Sequence, residues 1–350
     1  VKIVITGASG NIGSGVLRAL AADDEDHEVV GICRRPPAGG PPFDAVSWQA
    51  CDLGDEDCRG VLDEAMAGAD AVVHLAWMFQ PTRRQLRLHR ANDHGTTAVL
   101  DAARRAGVKH VVHMSSIGAY RPAGDRPVPE KWPTTGIPGS VYGIGKARAE
   151  TTLTGFASDN PDIAVTVLRP TLVAQRAASA SFLALFFDPL APRWLIRLLR
   201  DGRIPLLPLP SGLRVQLVHA DDVGDAVVRV LRTQATGTFN LAAEPLTAAD
   251  LAQVVGARAV PVPSAIMRAA VNLLWRARAI RMSPGWFDVG TRSPLVDTTR
   301  ARTELDWVPR TSSADCAREQ IIGLADATAG PSAALARAKL REDHRATPAS

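Results

Sequence analysis

TGASGNIGSG, residues 6–15, directly follows the apolar run VKIVIT and directly precedes a run of helix formers, VLRALAA. Its glycines Gly7, Gly10 and Gly13 stand three apart. Glycines at a strand-to-helix turn let the backbone bend sharply and approach a phosphate, whose charge is met by the free N–H groups of the helix start. The context therefore reads as a nucleotide-phosphate loop, with Gly7, Gly10, Asn11, Ile12 and Gly13 around the ligand. Such a loop heads a parallel sheet, which requires strands and helices to alternate downstream.

They do. HEVVGIC (27–33), AVSWQA (45–50), DAVVHLA (70–76), VKHVVHMSS (108–116) and AVTVLRP (164–170) are strand-length apolar runs. Residues 11–22, 56–68 and 82–106 and the stretch around Tyr142 read as the helices between them. Near-continuous apolar strands separated by helices indicate an α/β fold, a doubly wound Rossmann-type parallel sheet covered on both faces. Its ligand belongs beyond the carboxyl ends of the strands, where their order reverses. Residues 1–173 are expected to form a dinucleotide-binding domain. The irregular Pro-, Leu- and Arg-rich stretch 174–330 is expected to form a smaller, interleaved substrate lobe. LVHADDVGDAVVRVL (217–231) and TFNLA (238–242) look like returns to the sheet, so that parts of 215–245 complete it; 331–350 reads as a loose tail.

Composition narrows the function. With 350 residues, 46% of them hydrophobic, the chain can bury a sizeable core. The net charge of +4 comes from 40 basic and 36 acidic residues that intermingle, which suits an anionic small molecule and argues against a nucleic-acid protein. Four cysteines without a CxxC spacing fit a reducing cytoplasm, and no charged-then-apolar leader precedes Val1. The longest apolar tract, 182–199, is interrupted by Asp188, Pro189, Pro192, Arg193 and Arg197, so no membrane span is expected. His74, His110, His113 and His219 lie on apolar strands without metal-ligand spacing and read as core or sheet-edge residues, with no metal.

SVYGIGKARAE (140–150) holds Tyr142, one of only two tyrosines, and Lys146 four residues later on the same helix face. That spacing alone fits a catalytic pair or an ordinary contact. The other landmarks tell the two apart. TGxxGxxG, Asp52-Leu53 after the third strand, HLA (74–76), NDHGTTAVLDAA (92–103), MSSIGAY (114–120), YxxxK, LRP (168–170), VHADDV (218–223) and DTTRARTELDWVPR (297–310) follow one another along nearly the whole chain. Together they resemble the extended short-chain dehydrogenase/reductase family, also called the NAD-dependent epimerase/dehydratase family.

The resemblance implies that Tyr142 is the general acid/base and Lys146 its partner, which also reaches the nicotinamide ribose. A free tyrosine titrates near pH ~10, and an adjacent ammonium and an oxidised nicotinamide would both favour its phenolate. Ser116, four residues before Tyr120, is implied as the hydroxyl that polarises the reacting carbonyl, with Ser115 the runner-up. Asn92 is implied as a structural and water-relay residue, and Asp52, Leu53, Leu75 and Ala76 as further cofactor contacts. Nucleotide-sugar dehydratases of the family carry an Asp–Glu pair where this chain has Ile117-Gly118. Leu172 and Val215 replace polar contacts usual in members that bind nucleotide sugars.

The expected activity is therefore an NAD(P)-dependent oxidoreductase acting on a secondary alcohol or ketone of a fairly apolar small molecule. A redox-neutral epimerase is the second reading. A non-catalytic dinucleotide sensor is the third, and the intact Ser–Tyr–Lys set opposes it. NAD-selective members end the second strand in Asp or Glu; here Cys33 stands there, followed by Arg34 and Arg35. NADP(H) is thus favoured over NAD(H), with Arg34 as the main contact to the extra phosphate. A homodimer is implied as well, through a four-helix interface of the stretches 86–106 and 141–158.

Overall fold

The computed structural model describes residues 1–79, 85–187 and 192–336. The expectations for 82–84, for 188–191 and for the tail 337–350 lie outside the described residues. The first half alternates as its apolar runs dictate: β1 (Lys2–Thr6), α1 (Asn11–Ala21), β2 (Glu28–Cys33), β3 (Val46–Ala50), α2 (Cys58–Met66), β4 (Ala71–His74), α3 (Gln85–His89), α4 (Gly95–Ala106), β5 (His110–Met114), α5 (Val141–Asp159) and β6 (Ala164–Pro170). The second half is broken into short pieces: β7 (Leu172–Ala174), α6 (Ser179–Phe182), α7 (Arg193–Arg200), β8 (Leu206–Pro210), β9 (Arg214–Val215), β10 (Leu217–His219), α8 (Ala220–Thr233), β11 (Gly237–Leu241), β12 (Leu246–Thr247), α9 (Ala248–Val254), β13 (Arg258–Val262), α10 (Ser264–Arg276), α11 (Pro284–Arg292), α12 (Thr299–Glu304) and α13 (Ser313–Asp326).

Seven strands form one parallel sheet in the order β3-β2-β1-β4-β5-β6-β11. Chain order reverses between β1 and β4, the arrangement of a Rossmann-type fold. Separate apolar clusters cover its two faces. On one, α1 and α8 meet backbone to backbone, because a Cβ on Gly15 would run into the Ala220 carbonyl and one on Gly224 into that of Gly15.

Two expectations are revised. Of the stretch 217–231, only Leu217–His219 is a strand, and it pairs with β7 outside the main sheet. The remainder is α8. Asp221 and Asp222 sit in its first turn, where carboxylates oppose the helix dipole, and His219 accepts the Asp221 N–H at 3.2 Å. The Asp222 carboxylate also accepts the N–H groups of Arg310 and Thr311, and Trp307 donates its ring N–H to the Asp222 carbonyl. These bonds dock the segment 297–310 on α8. Second, the long helix runs unbroken over 85–106 but is not α-helical throughout: a π turn over Arg90–His94 joins α3 to α4 and carries Asn92.

The tail is packed as far as it is described. Ser332 and Leu335 are buried, and the Ser332 hydroxyl donates to the Ser9 carbonyl at 2.6 Å.

Candidate active site

The glycine loop sits at the point of strand reversal. Gly7 has φ +74°, and a Cβ there would lie 2.8 Å from the Ala76 backbone nitrogen. At Gly13 a Cβ would lie 2.6 Å from the Gly7 carbonyl oxygen and closer still to that of Ala8. Only glycine lets these backbones close into a cradle. Gly10 caps α1 without a side-chain hydrogen bond, so the helix start offers bare N–H groups. Asn11 is turned away from the cradle: its amide donates to the Val173 carbonyl and its oxygen accepts from Gln175. A dinucleotide pyrophosphate fits this arrangement, which combines a close backbone approach with unspent donors.

Around the cradle, Gly7 N–H donates to the Ile32 carbonyl at 2.8 Å, bringing the end of β2 alongside the loop. Cys33 is buried there, and burial pushes its thiol up, so the position carries no negative charge. Arg34 and Arg35 are exposed and form no ion pair among the described residues. Asp52 accepts the Gly54 N–H and lies 3.7 Å from Arg87. Leu53 is buried, and Leu75 and Ala76 follow β4 beside Gly7.

Ser116, Tyr142 and Lys146 converge at the other end of the switch point. Ser140 caps α5 by accepting the Gly143 N–H at 3.0 Å, which sets the helix one residue before Tyr142. The Tyr142 phenol lies beside the Ser116 hydroxyl, whose oxygen accepts the Gly118 N–H at 3.1 Å. Gly118 gives the ring room, since a Cβ there would stand 3.1 Å from it. Burial pushes the Tyr142 phenol up, and the nearby Ser116 hydroxyl pulls it partly back.

The ammonium of Lys146 donates to the Met114 carbonyl at 2.7 Å and lies 3.7 Å from the centre of the Trp77 ring. Burial lowers it to about 7 against the opposing pull of Glu150. It thus faces Trp77 and Met114, and the lowered phenol that the sequence implies is not found in the protein's own charges.

Ser115 has a different role. It donates to Glu150, which is buried and accepts from Arg169. Arg169 donates on to the Tyr120 hydroxyl at 2.6 Å, and Tyr120 to Asn240 at 2.7 Å. This network ties β5, α5, β6 and β11 together behind Lys146. Sequence reasoning missed Glu150, although it lies four residues past Lys146 on the same face, and Arg169, although it is a charge inside an apolar strand.

Asn92 exchanges two bonds with the Met78 backbone, at 2.7 and 2.8 Å, and so pins the chain leaving β4. His74, His110 and His113 are buried in the core, where burial lowers all three below the usual imidazole range. No metal-binding cluster occurs among the described residues.

A cleft of about 910 Å³ opens on Tyr142. It is lined by Trp77, Phe79, Ile280 and Trp286 together with Arg148, Arg268, Arg278 and Arg281. Trp286 stacks on Tyr142 with ring centres 4.8 Å apart and an interplanar angle of 33°. It reaches that place because Gly285 lets the start of α11 touch the Gly139 carbonyl at the start of α5. No periodicity marks Trp286 in the sequence. Arg268 is held by buried Asp288 at 2.8–3.0 Å.

Comparison with known proteins agrees with this geometry. A 28% identical, functionally uncharacterized protein of Mycobacterium tuberculosis covers 90% of this chain, which spans only 29% of that relative's length. Ceramide reductase of Caulobacter vibrioides is 26% identical over 323 residues, 88% of this chain and 86% of the reductase. Among solved structures, a UDP-glucose-4-epimerase of Stenotrophomonas maltophila with bound NAD superposes with TM-score 0.68 at 21% identity, over 93% of this chain and 98% of that one, a likeness of fold. The model of the NAD dependent epimerase/dehydratase family matches residues 3–242, and with the phosphate cradle at a Rossmann switch point this places the chain in that family.

Proposed function

We propose that the protein is an NAD(P)-dependent oxidoreductase that interconverts a secondary alcohol and a ketone on a fairly apolar small molecule. The observation that carries this reading is Tyr142, beside the Ser116 hydroxyl and lining a cleft together with Trp77, Phe79 and Trp286. Ser116 holds the carbonyl oxygen and Tyr142 donates the proton to it, a step for which a phenol kept protonated by burial is suited. Lys146, which donates to the Met114 carbonyl in the protein alone, would hold the nicotinamide ribose. When bound, the nicotinamide supplies or accepts the hydride. Leu172, 51% exposed, and Val215 offer apolar surface where nucleotide-sugar members of the family hold polar side chains. The ceramide reductase relative acts on a lipid, by its name.

The runner-up is the redox-neutral epimerase, which the solved structural relatives favour. The dinucleotide content of the purified protein separates the two. An oxidoreductase exchanges its cofactor each turnover and loses it on dialysis, whereas an epimerase retains about one per chain. Retained stoichiometric dinucleotide would favour the epimerase.

NADP(H) is proposed as the preferred cofactor. Arg34 and Arg35 stand exposed and unpaired beside the cradle, and Cys33 replaces a carboxylate that would repel the extra phosphate. A charge-assisted guanidinium–phosphate pair contributes on the order of 1.5–3 kcal/mol. Arg34→Ala should therefore weaken NADP(H) by about ten- to a hundredfold in titration and barely change NAD(H). A wild type that already prefers NAD(H) contradicts the proposal. A homodimer through the stretches 86–106 and 141–158 is proposed too, and Leu86 and Ile144, exposed on those stretches, support it. Light scattering should give the mass of two chains.

A further inference from the structure

Helix α10 is apolar on both sides. Met267, Val271, Leu274 and Trp275 lie half-buried toward the body of the protein. Apart from Arg268, which is turned to Asp288, its solvent-facing residues are Ala265, Ile266, Ala269, Ala270, Leu273 and Arg276. Ile266 is 62% and Leu273 69% exposed. A surface helix normally turns charged and polar residues outward, and one that is hydrophobic all round is covered by something.

Charge indicates what covers it. Residues 251–287 contain five arginines, Arg258, Arg268, Arg276, Arg278 and Arg281, and no Asp or Glu. All but Arg268 lack an ion-pair partner among the described residues. A second copy meeting this face in a symmetric dimer would bring the exposed Arg276 and Arg278 of both chains together with no carboxylate from 251–287 to offset them. The chain's own last 14 residues carry four basic and two acidic side chains, so they too repel it.

We propose that α10 docks the protein on an anionic lipid surface. Ile266 and Leu273 enter the headgroup–acyl boundary, and the arginine stems extend their guanidinium groups to lipid phosphates. No helix of the described residues is long and apolar enough to cross a membrane, so the contact is interfacial. Arg278 and Ile280, just past α10, border the cleft, so the docked face adjoins the cleft's edge.

Flotation with vesicles tests this independently of turnover and of the cleft's substrate. The wild type should float with vesicles of phosphatidylcholine plus phosphatidylglycerol, far less with phosphatidylcholine alone, and less in high salt. Ile266→Glu with Leu273→Glu should lower vesicle affinity by at least about tenfold with unchanged dinucleotide affinity. Arg276→Gln, a purely surface change, should weaken it several-fold. The proposal is overturned if the wild type stays out of anionic vesicles at low salt. It is equally overturned if neither variant loses binding, or if the double Glu variant instead halves the particle mass, which would make this face an interface between copies.

Discussion

Tyr142→Phe is expected to lower kcat by about a thousandfold or more while dinucleotide affinity stays within about threefold. A positioned general acid/base contributes about 10²–10⁴-fold, and here no second group can substitute. Ser116 lies beside the same phenol, and Lys146 is turned to Met114 and Trp77. The Phe ring keeps its stack on Trp286 and its fit against Gly118, so the loss is confined to the hydroxyl. Steady-state kinetics together with a dinucleotide titration make the measurement. A Phe variant with a tenth of wild-type turnover would remove Tyr142 from the chemistry.

The second large effect belongs to the cradle. In Gly13→Ala the new methyl would meet the carbonyl oxygens of Gly7 and Ala8 at less than contact distance, and both are backbone atoms that cannot rotate away. The loop must shift, which misdirects the N–H groups at the start of α1. Losing one or two charge-assisted bonds costs on the order of 3 kcal/mol, so dinucleotide affinity should fall at least about a hundredfold. Calorimetric titration reads this directly, and a melting scan shows whether the fold survives. Native affinity in a folded Gly13→Ala protein would mean that the ligand does not use this loop.

These two sites were also the most legible in the sequence, for a physical reason. The glycine loop and the Tyr–Lys pair are short-range patterns, set by backbone conformation at a strand end and by side-chain spacing along one helix. The strands of the sheet were legible for the same reason, as continuous apolar runs.

What sequence could not show depends on contacts between distant segments. Trp286 reaches Tyr142 only because Gly285 packs on Gly139. Glu150 holds Ser115 in a network with Arg169, a contact between separate strands and a helix that supports the proposal of Ser116. The stretch 217–231 reads as a return to the sheet, yet only Leu217–His219 is a strand, and it pairs with Leu172–Ala174 and not with the main sheet. Spacing places Lys146 near Tyr142 but does not say where the ammonium points, which is toward the Met114 carbonyl and the Trp77 ring.

The central claim is that this cradle and this phenol serve net hydride transfer on an apolar ketone. A panel of ketones, sterols and nucleotide sugars, scored by product and by dinucleotide consumed, tests it most directly. The account predicts reduction of an apolar ketone with one NAD(P)H oxidised per product formed, and no turnover of uridine- or thymidine-diphosphate sugars. An epimerised nucleotide sugar, formed with no net change in the dinucleotide, would contradict it.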